Sequence, residues 1–280
     1  MGMARTKISN SPTLSRVYQT LVLQSLHYYQ AFSKLLTGLA EKHHHSGYHH
    51  AHDSQANTIL NAASGHFLIV LDSPARENEG DLIIAARALT PAKCAFLIRH
   101  TSGYLCAPMS PARAAHLDLP PMLPLTSNSD PNRTNYTITV DAGTELGVTT
   151  GISAKDRAAT CNALAEDGSS AETFRRPGHV VPLIAKPGGV RERRGHTEAT
   201  WEFARLARIE PAVGVIGEMV IDGQESEEGH PGALGRKPEY VGAGMMRAKE
   251  CVEFGRLWGI RCCTIEALEA YVTKREGKLS

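Results

Sequence analysis

Residues 76–81, which read Arg-Glu-Asn-Glu-Gly-Asp, combine three carboxylates, one guanidinium and one amide in six positions. They stand between two apolar runs, residues 66–72 and 82–86, which we interpret as buried strands bounded by a turn. Asn78 and Gly80 supply turn chemistry, but a plain connector does not need this much charge. Carboxylates at strand ends can hold a divalent cation and polarise a hydroxylated substrate. A solvated acidic loop is the alternative from spacing alone.

Two predicted helix starts carry groups suited to an anion. Thr150 precedes a helix predicted over residues 154–165, and the free N–H groups at such a start suit a phosphate, with simple helix capping as the alternative. Farther along, a basic turn at residues 191–194 delivers His196 and Thr197 to the start of another helix. The positive end of a helix beside arginines indicates an anion site, and a solvated basic turn is the alternative.

Two ionisable residues lie beside or inside apolar runs. His179 precedes the run 180–184, a position at which a histidine is more often structural than catalytic. Glu218 lies inside residues 213–221, which we predict to be a buried strand. Because a charge in an apolar run must be paired or protonated, Glu218 is a functional candidate, with a structural ion pair as the alternative.

Composition narrows the class of protein. Of the 280 residues, 42% are apolar and 21% charged, which is typical of a soluble globular protein. A net charge of +1 predicts neither nucleic-acid nor membrane binding, and no apolar stretch is long enough to cross a bilayer. Six cysteines form no C-x-x-C pair, so we expect neither a zinc knuckle nor a disulfide scaffold. The lack of a recognisable signal peptide favours a cytoplasmic location.

The elements that must position these groups begin near residue 58. Strand and helix patterns alternate irregularly, which predicts a single α+β domain over residues 58–280, with a mixed sheet covered by helices on both faces. Within it we predict strands at 66–71, 82–86, 102–108, 136–140, 180–184, 213–221 and 260–264, and helices at 91–100, 110–119, 154–165, 246–258 and 265–274.

Residues 1–57 are predicted to be a separate extension. Its first 40 residues contain basic side chains but no Asp or Glu, and a histidine-rich patch follows at residues 43–52. An acid-free basic start is typical either of a mitochondrial transit peptide or of an extension without defined structure. The histidine-rich patch indicates a linker that can bind metal adventitiously and that takes no part in catalysis.

Further motifs agree with the first in order along the chain, and together they resemble the 3,4-dihydroxy-2-butanone-4-phosphate synthase family of riboflavin biosynthesis. The resemblance covers roughly residues 58–275 and leaves out the first 50 or so. The motifs are Arg76-Glu77-Asn78-Glu79-Gly80-Asp81, Arg99-His100-Thr101-Ser102-Gly103, Thr149-Thr150-Gly151-Ile152-Ser153, Asp156-Arg157, Arg176-Pro177-Gly178-His179-Val180 and Gly195-His196-Thr197-Glu198.

The resemblance implies a homodimeric enzyme that converts the phosphosugar D-ribulose 5-phosphate into 3,4-dihydroxy-2-butanone 4-phosphate and formate. Enolisation, dehydration, skeletal rearrangement and formate loss would proceed with Mg²⁺, or with Mn²⁺ as a substitute. It also implies residue roles: metal ligands Glu77 and His196; substrate contacts Arg76 and Asp81; phosphate contacts Thr150, Arg193 and Thr197; proton transfer by His179 and Glu218.

Two departures from the family pattern bear on these roles. Ser73-Pro74-Ala75 lacks an acidic side chain often found there, and one extra residue separates Thr197 from Glu218. There are two rival interpretations. One is another metal-dependent phosphosugar isomerase or aldolase, and the other is a catalytically degenerate homologue that binds a metal or a partner. Formate release distinguishes the synthase from both.

Overall fold

The computed structural model describes residues 57–59, 61–221, 224–225, 240–241 and 244–279. The predicted extension up to residue 56 and most of residues 222–243 lie outside the described residues. Within the described part of the chain, no helix is both long and apolar enough to cross a membrane.

Strands and helices alternate along the described chain, with a helical segment at residues 57–59 and 61–63 before the first strand. The strands are β1 (Leu68–Leu71), β2 (Gly80–Ala85), β3 (Cys106–Met109), β4 (Val140–Ala142), β5 (Phe174–Ile184), β6 (Gly214–Glu218), β7 (Gln224–Glu225), β8 (Tyr240–Val241) and β9 (Arg261–Thr264). The α-helices are α1 (Pro91–His100), α2 (Pro111–His116), α3 (Ala154–Leu164), α4 (His196–Leu206), α5 (Ala248–Trp258) and α6 (Ile265–Glu276).

Seven strands form one mixed sheet in the order β4-β5-β3-β6-β2-β1-β9, and β7 and β8 form a separate two-stranded sheet. The pairs β1–β9 and β3–β5 are parallel, whereas β1–β2, β2–β6, β3–β6 and β4–β5 are antiparallel. Mixed pairing of this kind, with helices inserted between the strands, confirms the predicted α+β class.

The sheet has a core on each face. Along β1, Leu68 and Val70 point into one apolar cluster, and Ile69 and Leu71 point into the other, because successive side chains of a strand alternate between faces. Helices α4 and α6 cover the first face, and α1, α3 and α5 cover the second. The prediction of helices on both faces is therefore confirmed.

Four predicted strands have bounds that differ from the structure by three residues or more. Strand β3 begins at Cys106, four residues later than predicted. The chain at 136–140 enters β4 only at Val140, because Tyr136 and Thr137 each form a single bridge, to different segments. Strand β5 begins at Phe174, six residues earlier than predicted, since it also pairs with β4. Strand β6 ends at Glu218, so this residue closes the strand instead of lying within it.

Candidate active site

A cavity of about 130 Å³ lies where β2 and β6 meet the start of α4. Two of the nine predicted site residues, Thr150 and His179, do not line it. The other seven do: Arg76, Glu77, Asp81, Arg193, His196, Thr197 and Glu218. The fold thus brings together residues separated by more than 140 positions in the sequence.

The acidic loop between β1 and β2 is folded around Asp72, a buried residue that the site prediction left out. Its carboxylate accepts hydrogen bonds from the Arg76 guanidinium (2.9 Å) and from the backbone N–H groups of Glu77 (3.2 Å) and Glu79 (2.8 Å). An acid at a strand end ahead of a turn was the available signal in the sequence. Residues 73–75 lack the acidic side chain often found in the family. The loop is folded by Asp72, so this departure does not remove the carboxylate on which the loop depends.

His196 is held in one tautomer by the sheet. Its Nε2 lies 3.1 Å from the carbonyl oxygen of Val70, and because a carbonyl only accepts, Nε2 carries the proton. Burial lowers the pKa of the imidazole, so the ring is neutral at pH 7. Its Nδ1 keeps a free lone pair, 3.6 Å from the Asp81 carboxyl group. A neutral imidazole with one free nitrogen is the form that binds a metal.

One potential ligand atom from each of Asp72, Glu77 and His196 lies within 4.8 Å of the others. Oδ2 of Asp72 already accepts two hydrogen bonds, whereas each oxygen of Glu77 accepts one and retains a lone pair. Carboxylate oxygen and neutral imidazole nitrogen both suit Mg²⁺ or Mn²⁺. These residues therefore fit a divalent cation, and Glu77 and His196 have the free lone pairs that could bind it.

Asp81 and Glu218 are direct cross-strand partners in the β2–β6 pair. Like charges at opposed positions repel, which disfavours ionisation of both groups. Burial, followed by repulsion from Glu77, Asp72 and Glu79, raises the pKa of Asp81 to about 8. The pKa of Glu218 is also raised, by partial burial and then by Asp81 and Glu77. A cation among these carboxylates would relieve the repulsion.

The prediction that Glu218 lies inside a buried strand is wrong, because the residue ends β6 and is exposed. Among the described residues, no hydrogen bond or ion pair reaches its carboxylate, so a structural ion pair does not account for it. A carboxyl group with a raised pKa at a cavity wall is suited to proton transfer.

Only one arginine of the basic turn faces the cavity. Arg191 pairs with Glu276 at 2.9 Å, and Arg194 pairs with Glu269 at 2.7 Å, both partners lying on α6. The remaining arginine, Arg193, lines the cavity. Only one guanidinium of the basic turn can therefore meet an anion in the cavity, and the other two arginines pair with the last helix.

The guanidinium of Arg193 is fixed by three hydrogen bonds. It donates to the Glu198 carboxylate (2.5 Å), the Asn132 carbonyl (2.9 Å) and the Thr134 hydroxyl (2.9 Å). One N–H on each terminal nitrogen remains for an anion. Helix α4 has no side-chain cap at its start, so the first-turn N–H groups beside Thr197 remain available as well.

His179 belongs to a second group of residues, outside the cavity. Its Nδ1 lies 2.7 Å from the buried carboxylate of Asp141, which also accepts the backbone N–H of His179 at 2.9 Å. The side chain of His179 is 40% exposed, and Asp141 fixes the orientation of the ring through Nδ1. An exposed, oriented imidazole is equipped for proton transfer with a group that approaches from outside.

Thr150 is exposed and lies in the loop just before α3. The Asp156 carboxylate accepts hydrogen bonds from the Thr149 hydroxyl at 2.7 Å and from the Gly151 N–H at 3.2 Å. These bonds, of which that from Thr149 has the largest effect, lower the pKa of Asp156 to about 2. The Ser153 hydroxyl caps α3 by accepting the Asp156 N–H at 3.0 Å, so helix capping accounts for part of this motif, as the alternative prediction stated. The Gly151 N–H is already occupied, but the side chain of Thr150 remains accessible.

Sequence reasoning missed several residues that line the cavity. Tyr104 and Tyr136 form part of its wall, and Asn132 donates from Nδ2 to Oε1 of Glu77 at 2.5 Å. Residues 128–135 read only as a polar loop, since nothing local in the sequence indicates a contact with the acidic loop 55 positions earlier.

The cavity combines a carboxylate, a neutral imidazole, a guanidinium and an open helix N-terminus. This combination defines a site for a divalent cation with a small anionic, hydroxylated substrate. A family model described as 3,4-dihydroxy-2-butanone 4-phosphate synthase matches residues 56–271, and the chain belongs to this family.

Relatives of the same name support this membership. The protein from Pyricularia oryzae is 51% identical over 81% of this chain and 92% of its own length, and that from Candida albicans is 46% identical over 75% and 92%. A crystal structure of a 3,4-dihydroxy-2-butanone 4-phosphate synthase in complex with two magnesium ions matches with a TM-score of 0.74 and 51% identity, covering 81% of this chain and 99% of that one. A cation-free form matches with a TM-score of 0.70 and 49% identity.

Proposed function

We propose that this chain converts D-ribulose 5-phosphate into 3,4-dihydroxy-2-butanone 4-phosphate and formate, a step of riboflavin biosynthesis, with Mg²⁺ as the cofactor and Mn²⁺ as a substitute. The observation that carries the proposal is the convergence of Glu77, neutral His196 and Arg193 on one cavity. Family membership supports the same reaction.

We assign a task to each part of the cavity from the groups that line it. Glu77 and His196 would hold the cation, which when bound supplies Lewis-acid stabilisation of negative charge on substrate oxygens. Arg76 and Asp81 lie beside this pair and would bind the substrate hydroxyl groups. The carboxyl group of Glu218, with its raised pKa, would exchange a proton with the bound sugar.

The phosphate end of the substrate would lie against Arg193 and Thr197, which line the same cavity. Arg193 offers two free N–H groups there, and Thr197 offers a hydroxyl at the uncapped start of α4. A helix N-terminus with an adjacent guanidinium is a favourable environment for a phosphate dianion.

We further propose that the active form is a homodimer in which a second copy supplies His179 and Thr150. Both residues are exposed and lie outside the cavity that the other seven share. Leu146 and Ile152, on the segment that carries Thr150, expose 48% and 53% of their surfaces, as expected where another apolar surface docks.

The reaction is tested by measuring formate from D-ribulose 5-phosphate with the purified full chain, with and without Mg²⁺. Glu77→Gln and His196→Ala should each abolish Mg²⁺-dependent formate release and Mn²⁺ binding, while circular dichroism stays unchanged. Near-wild-type formate release by either variant would remove the metal-site assignment.

The shared site is tested by mixing inactive variants. The test assumes that each site takes His179 from one copy and Glu77 from the other. After subunit exchange in an equal mixture of His179→Ala and Glu77→Gln chains, about half of the dimers are mixed, and each mixed dimer has one intact site. The mixture should therefore regain about a quarter of wild-type activity. A mixture that stays inactive although exchange has occurred would contradict the shared site.

Residues 58–280 are proposed to form the catalytic domain and residues 1–57 a separate extension. The family match, which begins at residue 56, supports this division. We propose a cytoplasmic location, which imaging of a C-terminal fluorescent fusion tests. Mitochondrial fluorescence that disappears when residues 1–57 are removed would assign targeting to the extension instead.

A further inference from the structure

The segment Asn128–Thr134, here called the asparagine loop, is folded by its own short-range hydrogen bonds. The side chain of Asn128 accepts the N–H of Asp130 at 2.9 Å. The carboxylate of Asp130 in turn accepts the N–H groups of Asn132 (3.1 Å) and Thr134 (2.7 Å). Such side-chain turns fix the backbone without help from a neighbouring strand.

Asn132 uses its three polar groups on three different partners. Its N–H closes the turn on Asp130, its carbonyl accepts from Nε of Arg193, and its side-chain amide donates to Oε1 of Glu77. Glu77 lies 55 positions and Arg193 61 positions away in the sequence. One residue therefore joins the proposed metal-binding carboxylate to the proposed phosphate-binding guanidinium.

The amide also decides how Glu77 is oriented. One third of the Glu77 side chain is exposed, and among the described residues its only other side-chain anchor is Arg76, which donates to Oε2 at 2.6 Å. With Asn132 on Oε1, both oxygens are fixed and each keeps one lone pair. Without Asn132, a flexible carboxylate held at one oxygen would have to be ordered again each time a cation binds.

We propose that Asn132 is a positioning residue that holds the Glu77 carboxylate in its metal-binding orientation and so sets the affinity of the protein for its divalent cation. The inference rests on the proposed role of Glu77 as a metal ligand. Partners that orient metal-ligating carboxylates commonly change metal affinity by 10- to 100-fold when removed.

The test is the dissociation constant for Mn²⁺, measured by electron paramagnetic resonance on the full chain without substrate. Asn132→Ala removes the amide but keeps the backbone N–H and carbonyl that contact Asp130 and Arg193. Its Mn²⁺ affinity should be about 10- to 100-fold weaker than that of the wild type. Asn135→Ala is the control, because it removes a side-chain amide three positions farther along the same chain. It should bind Mn²⁺ within twofold of the wild type.

A second measurement separates orientation of Glu77 from disorder of the loop. Binding of inorganic phosphate to the same variants, followed by calorimetry, reports on the Arg193 side of the cavity. Asn132→Ala should keep its phosphate affinity within twofold, because the Arg193 contact is made by the backbone. If phosphate binding weakens together with Mn²⁺ binding, the residue acts through loop order and the proposal is overturned.

Glu77→Gln distinguishes failure of this inference from failure of the proposed metal site. Loss of Mn²⁺ binding in Glu77→Gln with wild-type affinity in Asn132→Ala would refute the role of Asn132 alone. Wild-type affinity in both variants would remove Glu77 as a ligand, and the inference with it.

Discussion

Replacing Asp81 by Asn should stabilise the metal-free protein, although it alters a residue that we propose to bind the substrate. Asp81 is 3% exposed, and Glu218 lies directly opposite it across the strand pair. Burial and then the neighbouring carboxylates raise its pKa from 3.8 to about 8. The folded chain therefore keeps a proton on Asp81 under conditions in which the unfolded chain has released it.

The sign of the effect follows from proton linkage. Below about pH 4 the group is protonated in both states and its ionisation does not affect stability. Between about pH 4 and pH 8 the folded state binds more protons than the unfolded state, so the free energy of unfolding falls as pH rises, by about 1.4 kcal/mol per pH unit. From pH 5 to pH 8 the loss is at most about 4 kcal/mol. Asn cannot ionise, so the variant escapes this loss.

Urea denaturation of the metal-free wild type and Asp81→Asn at pH 5 and pH 8 measures the difference. The variant should gain stability relative to the wild type between the two pH values, by up to about 4 kcal/mol. Asp118→Asn, at an exposed position outside the cavity, should show no such gain. Mg²⁺ should reduce the gain, because a cation beside Asp81 favours its ionised form. An Asp81→Asn difference that is the same at both pH values would refute the electrostatic account.

Further predictions concern phosphate binding, proton transfer and the extension. Arg193→Ala should raise KM roughly ten- to a hundredfold with kcat largely kept, since a charge-assisted contact is worth about 1.5–3 kcal/mol and acts equally in ground and transition states. His179→Ala should lower kcat by about two to four orders of magnitude, as expected for a lost acid–base group. Asp141→Asn should lower kcat less, because the imidazole remains but loses its orienting carboxylate. Deletion of residues 1–52 should leave kcat, KM and the melting temperature nearly unchanged.

Steady-state formate assays check the first three predictions, and a thermal melt of the truncated chain checks the fourth. Inorganic phosphate should compete with substrate in the wild type and much less in the Arg193 variant. A collapse of kcat at unchanged KM in Arg193→Ala would place the basic turn in the chemistry. Unfolding of the truncated chain would contradict the domain boundary near residue 58.

Local sequence determined most of the elements and the family. Helix α1 spans the predicted residues 91–100 because its start signals are local: Pro91 occupies the first turn, and the Thr90 hydroxyl accepts the N–H of Lys93. The same holds for α3, which begins after the Ser153 cap as predicted. Residue order alone also indicated the acidic loop, His196 at a helix start and the family that the comparisons confirmed.

Tertiary structure alone decided which of these groups meet. Arg191 and Arg194 are indistinguishable from Arg193 in the sequence, yet two glutamates about 75 to 85 residues later engage them and leave Arg193 for the cavity. His179 lies in a motif that resembles the family but outside the cavity, and Asn132 has no motif but contacts Glu77. Helix caps and strand alternation depend on neighbours within a few positions, so the sequence displays them directly. Contacts across 50 or more positions depend on strand order and register, which only the folded sheet defines.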